Sequence, residues 1–300
     1  MPDAPLLLAS LANPRVKAVV RLRRRSHRDK MGLLLIEGYR EVLRALDNGH
    51  APEQLFFCPP LFLGGSEGGL LERCRAAGAG MIECTAPVFR KISYRDRPDG
   101  LLAVARQLRR RLDELTPPPD ALVVVAEAVE KPGNLGTILR SADACGVHAV
   151  IVCDRCTDIH NPNVVRASIG TLFALPVVEA TTAATLQWLD RHRIRVVAAA
   201  PGAEISYTEA DLAGPTAIVL GTEQVGLSET WLGRADAVVR IPMLGQADSL
   251  NVAQAATVML YEAVRQRAAA SGLAAARSRR KSPSPRPVSR AGRNAGRKDS

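Results

Sequence analysis

No apolar run in the 300 residues reaches the ~20 needed for a membrane-spanning helix, so no span is expected. The opening stretch MPDAPLLLASLANPR has an acid and no basic group ahead of its short apolar run. That makes it a poor secretory signal, and a cytoplasmic protein is expected. Cysteine is sparse and scattered: six residues, at 58, 74, 84, 145, 153 and 156, read as reduced thiols in a core rather than a disulfide framework. Cys153-x-x-Cys156 has no second cysteine pair, and His160 beside it sits in a polar HNPN loop, so no metal site is expected. No repeat of solenoid period is present. EKPGNLGTIL at 130–139 does not supply the Gly-x-Gly-x-x-Gly turn of a nicotinamide-binding unit. No Lys-[Ser/Thr] follows the glycines at 221 and 226, which excludes a nucleoside triphosphate loop.

The length suggests about two domains, and 47% hydrophobic residues suit a globular chain with buried cores. The net charge of +10 is unevenly spread. Residues 271–300 hold nine Lys/Arg against Asp299 and almost no large apolar group, which reads as a disordered tail over 269–300 that attracts phosphate without regard to sequence. A second basic stretch, RVKAVVRLRRRSHRDK at 15–30, has eight Lys/Arg against Asp29 and a partly amphipathic helical period. Two basic patches flanking a globular region favour a polyanionic partner, with Arg23, Arg24 and Arg25 as candidate contacts.

Helix-like and strand-like stretches alternate through residues 10–105: GLLLIEGYREVLRALDNGH, EQLFFCPP, LLERCRAAGAG and GLLAVAR. A first α/β domain is thus expected over 1–106. QLRRRLDELTPPPD forms a linker over 107–120, with a helical start stopped by three prolines. Beyond it, ALVVVAEAV, HAVIVCD, PVVEA, RVVAAAP, TAIVLG and AVVRIPM read as strands with helices between several of them, the pattern of a mostly parallel sheet over 121–268.

Polar groups gather at the ends of those strands, where open α/β sheets bind ligands. In NLGTILR, Asn134 is placed to cap a helix, with Arg140 near its face. NPNVVRASIG puts Arg166 on a short helix. TAIVLGTEQVGLS ends a strand at Leu220 in a turn holding Gly221, Glu223 and Gly226. IPMLGQADSLN brings Ile241, Met243, Ser249, Leu250 and Asn251 to the head of a helix.

Taken together, these motifs, in this order and spacing, resemble the SpoU/TrmH family of RNA ribose 2'-O-methyltransferases, of the knotted SPOUT class. The resemblance implies S-adenosylmethionine as cofactor, a deep C-terminal trefoil knot and a homodimer. It implies catalytic or ordering roles for Asn134, Arg140, Glu223, Ser249 and Asn251. Leu220, Gly221, Glu223, Gly226, Ile241, Met243, Ser249 and Leu250 would then hold the cofactor, and Arg166 would meet substrate phosphate. IEGYREVLRAL with PDGLLAVA resembles the L30e-like RNA-binding domain that precedes this methyltransferase domain in relatives. Ribosomal large-subunit RNA is the favoured substrate by that resemblance, and transfer RNA the second. A non-catalytic RNA-binding protein of the same fold is the remaining alternative, opposed by the intact polar set.

Methyl transfer to a hydroxyl requires in-line placement of the two reacting groups, which supplies much of the rate. A guanidinium stays protonated near neutrality, so Arg140 is expected to position phosphate and hydroxyl rather than to act as a base.

Overall fold

The computed structural model describes residues 6–154, 157–222 and 225–271. The chain begins with β1 (Leu6–Leu8), α1 (Pro14–Arg21), α2 (Arg25–Met31), β2 (Leu33–Glu37) and α3 (Tyr39–Asp47). It continues through β3 (Gln54–Phe57), α4 (Glu67–Ala76), β4 (Gly80–Cys84), α5 (Ala86–Ile92) and β5 (Leu101–Arg106). These strands form one sheet in the order β1-β4-β3-β5-β2. β1, β4 and β3 run parallel, while β5 is antiparallel to both β3 and β2.

The second half comprises β6 (Leu122–Glu127), α6 (Pro132–Ala144), β7 (Ala149–Cys153), α7 (Pro162–Ala167), β8 (Val177–Ala180) and α8 (Thr182–Arg191). After these come β9 (Arg195–Ala199), β10 (Ile205–Ser206), β11 (Thr216–Leu220), α9 (Glu229–Arg234), β12 (Ala237–Arg240) and α10 (Val252–Ala270). Its strands lie in the order β10-β12-β9-β11-β6-β7-β8, and every pairing is parallel. A parallel sheet is covered on both faces, which is why β6, β7 and β11 are buried throughout and almost wholly apolar rather than alternating. Successive side chains still point opposite ways. Leu122, Val124 and Ala126 enter one core, and Val123 and Val125 another.

The first of those cores does not stop at the second sheet. It also takes in Leu34 and Ile36 of β2, Val42 and Ala45 of α3, and Val164 and Val165 of α7. Both halves of the chain therefore share one apolar interior. Polar contacts reinforce the seam. Arg28 is buried with Asp158, to which its guanidinium donates at 2.5 Å, and it also donates to the carbonyls of Leu22 and Arg23. Asp158 accepts the His160 amide at 2.9 Å, and the His160 ring lies 3.1 Å from the Leu108 carbonyl. Arg44 reaches the Ile169 carbonyl at 2.5 Å.

Burial pushes the His160 imidazole down to about 4, against the pull of Asp158. Burial alone would raise Asp158, but the Arg28 hydrogen bond, the His160 amide and the charges of both partners hold it low. Neutral His160 thus belongs to the folded state, while the unfolded chain takes up a proton near its ordinary value of 6.5. Stability should be complete above that pH and fall as the solution is acidified toward 4, by on the order of 3 kcal/mol from this residue. Asp158 adds to the loss at still lower pH. Melting curves at pH 7 and pH 5 for the native chain and His160→Gln check this: the variant should be less sensitive to acid, and an equal slope in both refutes it.

Three expectations from the sequence need correction. The linker does not begin as an α-helix: its regular structure is one short 3-10 turn at Leu112–Glu114, and its leucines serve different cores, Leu108 one and Leu112 and Leu115 another. The basic stretch resolves into two helices, because the chain turns at residues 22–24 to bury Leu22. Asn134 does not cap α6, since Pro132, with its φ preset for a first helical position, starts the helix two residues earlier behind Lys131. The short strands β1 and β10 carry too few residues to announce themselves, and β4 opens on a glycine with only two of its five residues buried.

Candidate functional site

At the carboxyl ends of β9, β11 and β12 the chain leaves a cleft of about 580 Å³ counted out to its mouth, closed on one side by the head of α10. Leu220 and Gly221 follow β11, Ile241 and Met243 follow β12, and Ser249 and Leu250 lead into α10. All six line the cleft, as expected from the sequence. Its walls are mostly apolar, and the loop from Pro242 to Ser249 is exposed apart from half-buried Met243. Such a lining suits a flat heteroaromatic ring held by main-chain groups at the strand ends.

Gly221 fits this role for a steric reason. A Cβ built there would fall against the carbonyl of Gly226 and 2.5 Å from the amide nitrogen of Leu227. The backbone doubles back at this point, with Thr222 and Gly226 exchanging two hydrogen bonds of 3.1 Å. Gly226 takes φ +73°, a value open to glycine at little cost. It supports the cleft from behind instead of lining it. Glu223 lies outside the described residues. Glu127, at the buried end of β6, accepts the Ser228 amide at 2.8 Å and so anchors the far end of the same loop.

Asn134 and Asn251 come together beside the cleft, at the head of α10. Asn251 caps α10, its Oδ1 accepting the Ala253 amide at 3.0 Å, while its Nδ2 donates to Asn134 Oδ1 at 3.2 Å. One α6 turn-pair further on, Ser141 Oγ lies 2.7 Å from Thr257 Oγ1 of α10. The facing stripe of α6 is thus Asn134 and Ser141, seven residues apart. Arg140 does not share it: with Gly133 and Thr137 it occupies the exposed stripe, since six residues on a 3.6-residue helix fall about a third of a turn off. Its guanidinium has no hydrogen-bond or ion-pair partner among the described residues. An exposed guanidinium without a protein partner is available to a bound anion.

Arg166 is exposed on α7, which packs on α6 where Gly136 leaves no room for a side chain against Ala167, Val164 and Ser168. The other candidate RNA contacts fare differently. Arg24 is exposed, and Arg25 pairs with Asp29 at 3.6 Å. Arg23 turns inward, donating to the carbonyls of Lys91 and Ser93 and fastening the α1–α2 corner to the chain after α5. Charge alone could not separate it from its neighbours.

Sequence reasoning passed over Ala199, Ala200 and Pro201 at the end of β9, which form the third wall, and Asp248 at the rim. The strand itself was evident; small residues followed by proline were the only hint that its end stays open. Glu127 was likewise missed, although a lone carboxylate closing the run LVVVAE is the kind of signal that could have found it. Among the described residues no group of three or more His, Cys, Asp or Glu could hold a metal. Cys153 is buried, and burial pushes its thiol up to about 12, while Cys156 lies outside the described residues.

Comparison with known proteins bears on this geometry. Residues 121–261 match the SpoU rRNA Methylase family, and residues 13–103 match the MRM3-like substrate binding domain. The 23S rRNA (uridine(2479)-2'-O)-methyltransferase of Streptomyces viridochromogenes is 34% identical over 250 residues, spanning 81% of this chain and 86% of its own. A crystal structure of an RNA 2'-O ribose methyltransferase superposes with TM-score 0.78 at 45% identity, covering 87% of this chain and 99% of that one. The AdoMet-bound rRNA methyltransferase of Sinorhizobium meliloti superposes with TM-score 0.79 at 33% identity, covering 86% and 97%.

Proposed function

Because this chain belongs to the SpoU rRNA methylase family, we propose that it transfers a methyl group from S-adenosylmethionine to the 2'-hydroxyl of a ribose in 23S ribosomal RNA. The observation that carries this reading is the cleft at the ends of β9, β11 and β12, with the Asn134–Asn251 pair beside it. When bound, S-adenosylmethionine supplies an electrophilic sulfonium methyl; everything else falls to the protein.

The turn at Gly221 and the main chain around Ile241, Met243 and Leu250 would hold the cofactor's ring, and Ser249 would orient the acceptor ribose from the rim. Asn251 is fixed by its two hydrogen bonds and presents a preset edge to the sugar. Arg140 binds a substrate phosphate and brings the 2'-hydroxyl into line. The hydroxyl proton that methylation releases would pass to a phosphate oxygen held by that arginine, because the guanidinium itself is already protonated. Glu223 orders the loop beside the cofactor in this reading.

Residues 1–106 act as the RNA-binding domain, 107–120 as the linker and 121–268 as the catalytic domain, and the tail from 269 adds phosphate attraction. Two chains pair, with Tyr261 of α10 and Leu244 of the cleft loop, 53% and 99% exposed, as apolar groups available to a second copy. The family's knot suits a path in which the chain leaves β12 near one edge and returns across the sheet so that α10 packs on α6 and β11. The enzyme works in the cytoplasm, and no helix among the described residues is long and apolar enough to cross a membrane.

Ribose-methylation mapping of total RNA from cells with and without the gene tests the proposal. One 23S position should lose its methyl group in the deletion. A loss confined to transfer RNA, or no loss at all, refutes the assignment.

A further inference from the structure

A second cleft, about 1600 Å³ counted out to its mouth, lies between the two halves of the chain, away from the strand ends. Tyr39, Arg40, Leu63, Asp96 and Arg97 line it from the first half, and Arg166 from the second. By formal charge its lining is balanced, but three of its four acids are already engaged. Glu41 is buried and paired with Arg95 at 2.6 Å. Asp99 accepts the Tyr39 amide at 2.9 Å and faces Arg95 at 3.8 Å. Glu67 accepts the amides of Leu63 and Gly64 at 3.2 and 2.8 Å.

Arg40, Arg97 and Arg166, by contrast, are all exposed, and among the described residues none of their guanidinium groups has a hydrogen-bond or ion-pair partner. Only Asp96 stands as an exposed acid beside them. Three free guanidinium groups, on α3, on the loop before β5 and on α7, thus converge on one concave space. Half-buried Tyr39 offers a ring there, and Leu63, 81% exposed, an apolar edge. Arginine forks fit phosphate oxygens, and an aromatic ring accepts a stacked base. A cleft cannot admit the broad, shallow minor groove of an RNA duplex, whereas an unpaired strand can splay a base into it.

We propose that this cleft grips an unpaired stretch of the substrate RNA, with Arg40, Arg97 and Arg166 on successive phosphates and Tyr39 against a base. The inference rests on the methyltransferase reading and assigns it a second contact. The cleft communicates with the first through α7, because Arg166 sits on the helix that packs against Gly136 of α6, two residues beyond Asn134. The seam contacts of Arg28 and Arg44 hold the two walls at a fixed separation, so the cleft spaces bound strand from acceptor ribose.

Binding of a 23S rRNA transcript to the full-length protein is measured against salt for the native chain, Arg40→Ala and Arg97→Ala. A third variant, Arg191→Ala, removes the same charge from exposed α8 outside the cleft. Each cleft variant should flatten the slope of log affinity against log salt by about 0.7 to 0.9. Arg191→Ala should leave it unchanged, and calorimetric S-adenosylmethionine binding should be native in all three. A single-stranded oligouridylate should displace the transcript better than a duplex of equal length. Unaltered slopes in the cleft variants, an equal effect of Arg191→Ala, or equal competition by duplex each overturns the proposal while native methylation of the transcript stands. If the native chain neither binds nor methylates the transcript, the methyltransferase reading itself fails and this contact falls with it.

Discussion

Arg140→Ala should lower the rate of ribose methylation by about 10²–10³-fold, the loss typical of removing one preorganised donor from a reacting centre. The substitution is clean because the side chain is exposed and lacks a protein partner among the described residues, so neither a buried hydrogen bond nor packing is lost. Melting temperature should stay at the native value, and calorimetric affinity for S-adenosylhomocysteine should hold, since Arg140 does not line the cleft of the strand ends. The loss should fall on turnover and on apparent RNA affinity together, as a group holding phosphate and aligning a hydroxyl requires. Arg140→Lys should recover only part, because a point charge cannot reproduce the planar fork. Turnover in the alanine variant within a few-fold of native would remove Arg140 from the reaction.

Gly221→Ala should strike the cofactor instead. The added methyl would stand where the Gly226 carbonyl and the Leu227 amide already lie, and these are backbone atoms with no rotamer to swing away. Overpacking of this kind costs ~1–3 kcal/mol, which at its upper end corresponds to ~100-fold in affinity if the loop absorbs the strain. The paired hydrogen bonds between Thr222 and Gly226 would have to open, and Glu127's hold on Ser228 would resist a simple outward slide. The expected result is therefore calorimetric S-adenosylmethionine affinity reduced by one to two orders of magnitude, with a smaller drop in melting temperature. A variant that binds cofactor and melts like the native chain would show that the doubled-back loop yields easily and does not shape the site.

How much of the molecule was legible in its sequence depends on the kind of force involved. Strands β6, β7, β9 and β11 announce themselves because burial on both faces demands unbroken apolar runs, and hydrophobicity is written directly in residue type. β1 and β10 do not, since their few residues pair at sheet edges where neighbours decide, nor does β4, whose five residues are only partly buried beside β1. The glycine turn and the Ser249–Asn251 segment could be placed in the cleft because both follow strands whose ends must meet. What could not be read was direction. Arg23, Arg24 and Arg28 are alike in sequence, yet one braces a loop, one faces solvent, and one is buried against an aspartate 130 residues away. The interdomain cleft escaped for the same reason: Arg40, Arg97 and Arg166 become neighbours only after two sheets dock. Asn134 was read as a helix cap, whereas its side chain accepts from Asn251, the residue that caps another helix.

The apolar interior common to both sheets also bears on how this enzyme could be taken apart. Severed within residues 107–120, each piece would retain its own hydrogen-bonded strands but lay bare a greasy seam of leucine, isoleucine and valine from β2, α3 and α7. Neither fragment would be at ease alone in water, and each would be the other's best remedy. The molecule is in that sense a ready-made split reporter, whose halves, fused to two interacting proteins, would regain activity when brought together.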